Sequence, residues 1–226
     1  MIIPYEKLQG ETMHQMTERF RLEYPAGKKI AYGGNLDPLA SGLVIMFTDE
    51  SVSEHEKYTS YSKEYTFSTI KHFKTDTYDI MGLVTTSDEK NVQQIELKDY
   101  RAPYPPYSTK RVKPHNKSLW YCQKNGLEVQ DWPEHNVTVH AYRELSNETI
   151  QGIKLLELIK ERIGKVKGDF RQEEIIKKWT DVLDIDKYYD IEHHTITLSK
   201  GGYVRYFANM MNSTCFDIRR IAYKID

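Results

Sequence analysis

The spacing of hydrophobic positions changes several times along the chain, and each change predicts an element. Ile2, Ile3 and Tyr5 begin a short strand over residues 2–5. Thr12 then precedes Met13, Met16 and Phe20, whose three- and four-residue spacing predicts an amphipathic helix ending near Pro25-Ala26-Gly27. The run Leu43-Val44-Ile45-Met46-Phe47 carries the chain into a core, and the charge-rich residues 51–58 read as a solvated helix. Residues 63–70 are rich in β-formers and alternate at their start, while residues 137–142 alternate cleanly; both predict strands. Two helical stripes follow, Ile153, Leu156, Ile159 and Ile163, then Ile175, Trp179 and Val182, with Gly164 and Gly168 between them. They predict a helical hairpin over roughly residues 147–190. Residues 196–205 read as a late strand on which Tyr203 and Arg205 would share a face.

Composition narrows the class. A chain of 226 residues with 39% hydrophobic residues and 17 tyrosines fits one large domain, or one domain carrying an insertion, and argues against wholesale disorder. The net charge of -1 offers no global basic signature, although a local basic face remains compatible with it. Two widely separated cysteines, Cys122 and Cys215, lack metal-ligand spacing, as does the pair His193-His194. A reducing, intracellular setting follows. No stretch has the length and apolarity of a signal peptide or a membrane span.

The chemistry concentrates in Tyr32-Gly33-Gly34-Asn35-Leu36-Asp37-Pro38-Leu39-Ala40-Ser41-Gly42. Glycines and Asn permit a sharp turn before a carboxylate, and Pro38 is able to open a helix that Asp37 would cap. On residue preferences alone, Asp37 is either such a cap or an acid displayed on a rigid turn. Residues 103–114 interleave Tyr104 and Tyr107 with Lys110, Arg111, Lys113 and four prolines. That mixture describes either a solvated loop or one that stacks on bases and touches phosphates.

The wording of these stretches resembles the TruB family of pseudouridine synthases. Gly34–Gly42 resembles the motif around that family's catalytic aspartate, and Lys7-Leu8-Gln9-Gly10-Glu11-Thr12 its opening motif, with Leu8 where the family has proline. Lys63-Glu64-Tyr65 and Thr75-Asp76-Thr77-Tyr78-Asp79 resemble its Lys-x-Tyr strand and the loop that follows. Residues 103–114 align with its Pro-x-x-Tyr-Ser segment, ahead of a helix at Leu119-Trp120-Tyr121. Ser199-Lys200-Gly201-Gly202-Tyr203-Val204-Arg205 and Ile218-Arg219-Arg220 resemble its last two motifs.

This resemblance implies an α+β pseudouridine synthase fold: a mixed, mostly antiparallel central sheet flanked by helices. It would form one catalytic domain over residues 1–226, with the helical hairpin at about 147–190 as an insertion. Because the chain stops at Asp226, no room is expected for the C-terminal PUA domain of many members. The implied activity is isomerisation of a uridine in RNA to pseudouridine after base flipping, with the T-loop uridine of tRNA as first choice. The same chemistry on another RNA loop, or a non-catalytic RNA-binding or RNA-folding module, are the alternatives. Asp37 would be the catalytic acid, as nucleophile or as proton abstractor. Arg205 would pair with it, and Tyr65 would stack on the uracil near the proton that leaves C5. Tyr203 and Ile218 would line the pocket, and Asp79 would support it. Tyr32 stands where the family has a histidine, and substrate choice is the property this bears upon. The resemblance implies no metal, redox cofactor or nucleotide, no guide RNA and no membrane, with the protein acting as a monomer on a tRNA T-arm. The lysines of the hairpin (Lys154, Lys160, Lys165, Lys167) read as a solvated face, with an extended RNA surface as the other reading.

Overall fold

A computed structural model describes residues 1–87 and 92–224; residues 88–91 and 225–226, Asp226 among them, lie outside the described residues. The chain opens with β1 (Ile2–Lys7) and α1 (Met13–Glu23). Thr12 starts that helix through a reciprocal cap: its Oγ1 accepts from Gln15 N at 3.2 Å, and Gln15 Oε1 accepts from Thr12 N at 2.8 Å. Met16 and Phe20 are its fully buried positions. Next come β2 (Ile30–Tyr32), β3 (Ser41–Thr48), a 3-10 turn (Asp49–Glu54) and α2 (His55–Ser60), which buries no side chain. β4 (Ser62–Lys71), β5 (Phe73–Thr75) and β6 (Val84–Thr86) follow. The proline-rich region holds β7 (Asp99–Pro103), the short pair β8 (Arg111–Val112) and β9 (Lys117–Ser118), and α3 (Leu119–Lys124). The chain closes with β10 (Glu134–Gln151), α4 (Gly152–Lys165), α5 (Gln172–Val182), β11 (Tyr188–Leu198), α6 (Val204–Met210) and β12 (Ser213–Lys224).

The central sheet runs β1-β3-β12-β4-β11-β10-β7, with β2 paired to β3 as the eighth strand. Its pairings are antiparallel except β12 against β3. Prolines that cannot serve a central strand are accommodated, since β7 ends at Pro103 on the sheet edge. Alternation along β4 sends Tyr65 and Phe67 into one core with α1 and α6, and Ile70 into another with α4 and α5. The second core includes Phe73, Ile80 and Trp179, whose indole donates to Ile80 O at 3.1 Å. It also takes in Leu39, which ties the helical pair to the Asp37 loop.

Four expectations are corrected. Residues 199–205 are not strand: β11 ends at Leu198, and Gly201 turns the chain at φ +86° into α6. Tyr203 is therefore the N-cap of α6 and Arg205 its second residue, so the two do not share a strand face. Pro38 opens no helix; residues 33–40 form a loop that leads directly into β3. In α4 the buried stripe is Leu155, Leu156, Ile159 and Ile163, whereas Ile153 is 42% exposed. The helices also occupy less than residues 147–190, because residues 147–151 and 188–190 pair as strands in the β10–β11 ribbon.

Gly42 marks where β3 and β12 meet in parallel, opposite Arg220. Its φ is +112°, and a Cβ there would lie 2.2 Å from Arg220 O. Gly42→Ala is expected to destabilise the fold by about 3 kcal/mol, from backbone strain and forced separation together. Urea denaturation measures this; a loss below about 1 kcal/mol, the scale of an ordinary substitution, would mean the two strands part there freely.

Candidate active site

The loop between β2 and β3 carries Asp37, and it is held mainly through its carbonyl oxygens. Lys7 is fully buried and its ammonium donates to Ala40 O at 2.6 Å, Leu8 O at 3.2 Å and Pro38 O at 3.4 Å. Gly10 N adds a bond to Pro38 O at 2.9 Å. From β12, the buried Arg220 donates to Leu43 O at 2.6 Å, Gly34 O at 3.2 Å and Asn35 O at 3.4 Å. Burial pushes the Lys7 pKa down to about 8, against the nearby negative charge of Asp37, which acts to raise it. An irregular backbone is thus kept in one shape by two cations that donate to its carbonyls at Gly34, Asn35, Pro38 and Ala40.

Arg205 completes the constraint from the other side. Its Nε donates to Asp37 Oδ2 at 2.8 Å, and its Nη1 donates to Thr77 O and to Pro106 O. The arginine side chain is 3% exposed, the aspartate 29%, so the acid meets the cavity while its partner is enclosed. Behind Arg205 lies Asp79, 3.6 Å from the same Nε. Thr77 Oγ1 donates to Asp79 Oδ1 at 2.6 Å and Met81 N donates to it at 2.9 Å. Burial raises Asp79 to about 6 even though Arg205 and these donors favour its charged form. Burial acts to lower the Arg205 pKa, yet Asp37 and then Asp79 drive it above the ordinary guanidinium value.

Asp37 opens onto a cavity of about 680 Å3 whose wall includes Tyr32, Tyr65, Tyr203, Arg205 and Ile218. Six of the seven residues singled out from the sequence therefore meet around one space. The seventh, Asp79, lines a smaller cavity that shares Asp37 and Arg205 with the first. Tyr203 is pushed up to about 12 by burial, reinforced by Asp37, which leaves its phenol protonated at neutral pH. Lys7 and Arg220 appeared in the sequence only as letters of motifs, and their role was missed. The available signal was their phase: each sits two residues after a buried apolar residue, Tyr5 or Ile218, on the inward side of a strand. Trp120 and Phe170, which line both cavities, were also missed as site residues.

Residues 22–163, more than half of the chain, match the family described as TruB family pseudouridylate synthase (N terminal domain). That stretch contains Tyr32, Asp37, Tyr65 and Asp79; Tyr203, Arg205 and Ile218 lie beyond it. The chain is similar to tRNA pseudouridine synthase B of Malacoplasma penetrans, 26% identical over 187 residues, covering 83% of this chain and 67% of that protein. It is also similar to tRNA pseudouridine synthase B of Caldicellulosiruptor saccharolyticus, 28% identical over 137 residues, covering 57% of this chain and 46% of that one. The protein of the same name from Aquifex aeolicus is 28% identical over 149 residues, covering 62% of this chain and 50% of its own. The chain thus spans about half the length of two of these relatives and about two thirds of the third. Among solved structures, a chain in a crystal structure of a Cbf5-Nop10-Gar1 complex superposes with a TM-score of 0.51 at 14% identity, over 100% of this chain and 50% of that chain. That likeness is one of fold.

The raised Asp79 has a thermodynamic consequence. Between its unfolded value of 3.8 and its folded value of about 6, the folded chain binds the extra proton, so raising the pH through this window costs stability. Urea denaturation across the window is expected to show the wild type losing stability relative to Asp79→Asn up to a pH of about 6, with a constant difference above it. Parallel curves throughout would contradict the assignment.

Proposed function

This chain belongs to the TruB family of pseudouridylate synthases, and we propose that it isomerises a uridine within RNA to pseudouridine, with the T-loop uridine of tRNA as its substrate. The observation that carries the reading is the Asp37–Arg205 pair at 2.8 Å, opening on a cavity that also holds Tyr65 and Tyr203. The reaction breaks the bond from N1 of uracil to the sugar C1′, turns the detached base, joins C5 to C1′ and removes the C5 proton. The C5 proton passes to water and N1, freed from the sugar, takes one up, so the composition of the nucleotide is unchanged and no electrons leave it. What the protein has to provide is a carboxylate, a pocket that grips a free base, and a group near C5.

Arg205 engages Oδ2 of Asp37, so Oδ1 would be the oxygen that reacts. Its work is either attack on the nucleotide or abstraction of a sugar proton; a fixed orientation serves both. Tyr65, 7% exposed on the central strand β4, offers a ring for the uracil to stack on and a phenol near the departing C5 proton. Tyr203 and Ile218 close the pocket around the base, and Asp79 holds Arg205 from behind. Taking the uridine out of a folded loop costs on the order of a few kcal/mol, and aromatic stacking, at about 1–3 kcal/mol per base, offsets it. Tyr32, on the cavity wall at the end of β2, would stack into the loop that flipping vacates. Because tyrosine supplies a ring without imidazole hydrogen bonding, a different RNA loop is the second reading of the substrate. The enzyme would work inside the cell, where its RNA is, as a monomer without metal, redox cofactor or guide RNA.

The test is tritium release from RNA labelled at uridine C5, using a T-stem-loop and the same RNA with its target uridine replaced. Release from the first alone, abolished by Asp37→Asn, is the expected result. Tyr65→Phe is expected to keep RNA binding and to slow release about 100-fold, the scale of a lost proton-transfer group. Binding of the stem-loop without release would overturn the enzyme reading and favour an RNA-binding role, and release from another RNA alone would move the substrate.

A further inference from the structure

The turn between α4 and α5 enters the site from beyond the stretch that matches the family. Phe170, in that turn, lines the large cavity together with Asp37, Tyr65 and Tyr203, and lines the smaller cavity as well. Trp120 of α3 does the same, its ring centroid 6.1 Å from that of Phe170 at 62°. Both rings are half-buried. Their positions are fixed by polar contacts on either side. Arg171 Nη1 lies 2.9 Å from Asp76 Oδ2, with its guanidinium 4.5 Å over the Tyr107 ring, and the Tyr107 hydroxyl donates to the same Oδ2 at 3.2 Å. Lys124 Nζ lies 2.7 Å from Asp169 Oδ2 and 5.1 Å over the Trp120 ring. Arg171 and Tyr107 both adopt left-handed backbone, at φ 63° and 59°, a conformation costly to residues with a side chain.

An ordinary packing role would enclose both rings, as it does Trp179 and Phe73 in the core beneath. Here the rings face a cavity of about 680 Å3, larger than one uracil needs, and a smaller adjoining one that Lys124 and Arg171 also line. Half-exposed aromatic faces suit the base of a nucleotide, which stacks on them, while Lys124 and Arg171, engaged by Asp169 and Asp76, hold the rings in place. Resting on the pseudouridine synthase reading, we propose that Phe170 and Trp120 form a second stacking site, which takes the base of a nucleotide beside the target uridine and so helps to choose the RNA. Arg171 is a positioning residue: it holds the Phe170 turn against Asp76 and Tyr107.

The experiment uses the full chain and a set of T-stem-loop RNAs in which each loop nucleotide other than the target is made abasic in turn. The wild type is expected to lose about tenfold in affinity for one of these RNAs, the scale of one lost stack. Phe170→Ala is expected to lose about the same for the intact RNA and nothing further for that abasic RNA. Its effect falls on KM rather than kcat, and Phe170→Tyr restores binding. The inference is overturned if Phe170→Ala weakens every RNA in the set equally, lowers kcat with KM unchanged, or has no effect, or if the wild type binds no stem-loop. Coupling without tritium release would leave this inference standing and remove the isomerase reading. Release without coupling would do the reverse.

Discussion

The fold depends on how an irregular loop is given a single shape. Residues 33–40 belong to no helix or strand, so their carbonyl groups have no regular ladder to join. Lys7 and Arg220 supply the missing donors from two strands on either side of β3, and both are enclosed in the core to do so. Burying a cation is expensive, and carbonyl dipoles at hydrogen-bond distance offset part of that cost. The cation and the loop therefore stabilise each other: either alone would leave unpaired polar groups in the interior. Leu39, buried against the α4–α5 core, fixes the loop from below.

Arg205 uses the same logic on the side chain. It joins the half-open Asp37 to the enclosed Asp79, and its remaining donors go to Thr77 and Pro106 carbonyls. Removing one partner of such a group costs more than the pair contributes, because the other is left charged and unpaired. The site is thus coupled to the residues 76–81 loop, the proline-rich segment and α6 through one guanidinium. Loops are where proteins carry chemistry when a rigid frame holds them. Here the frame is the sheet, and buried cations transmit its rigidity to the acid.

Much of this was legible because strands and helices repeat at different periods. The alternation at Tyr65 and Phe67 and the Thr12 cap gave elements within a few residues of their true bounds. Asp37 was singled out through its motif, since no rule of composition separates an acid displayed toward a cavity from a cap; the structure places it on the cavity wall beside Arg205. The stretch from Ser199 to Arg205 misled because its residues favour a strand, whereas Gly201 at positive φ turns the chain and starts a short helix. In α4, Leu155 rather than Ile153 meets the core: both fit a helical period, and only the docking angle of the helix chooses between them. Phe170 and Trp120 were illegible for a different reason. They lie 50 positions apart in sequence and meet only because the helical pair packs its turn against α3.

The claim that buried cations shape the acid's loop is tested most directly by hydrogen exchange along the chain in the wild type and in Lys7→Met. The account predicts slow exchange for residues 33–42 in the wild type despite their irregular backbone, and markedly faster exchange there in the variant, with β4 and β11 still protected. Unchanged exchange in residues 33–42, in a variant whose central strands remain protected, would contradict it.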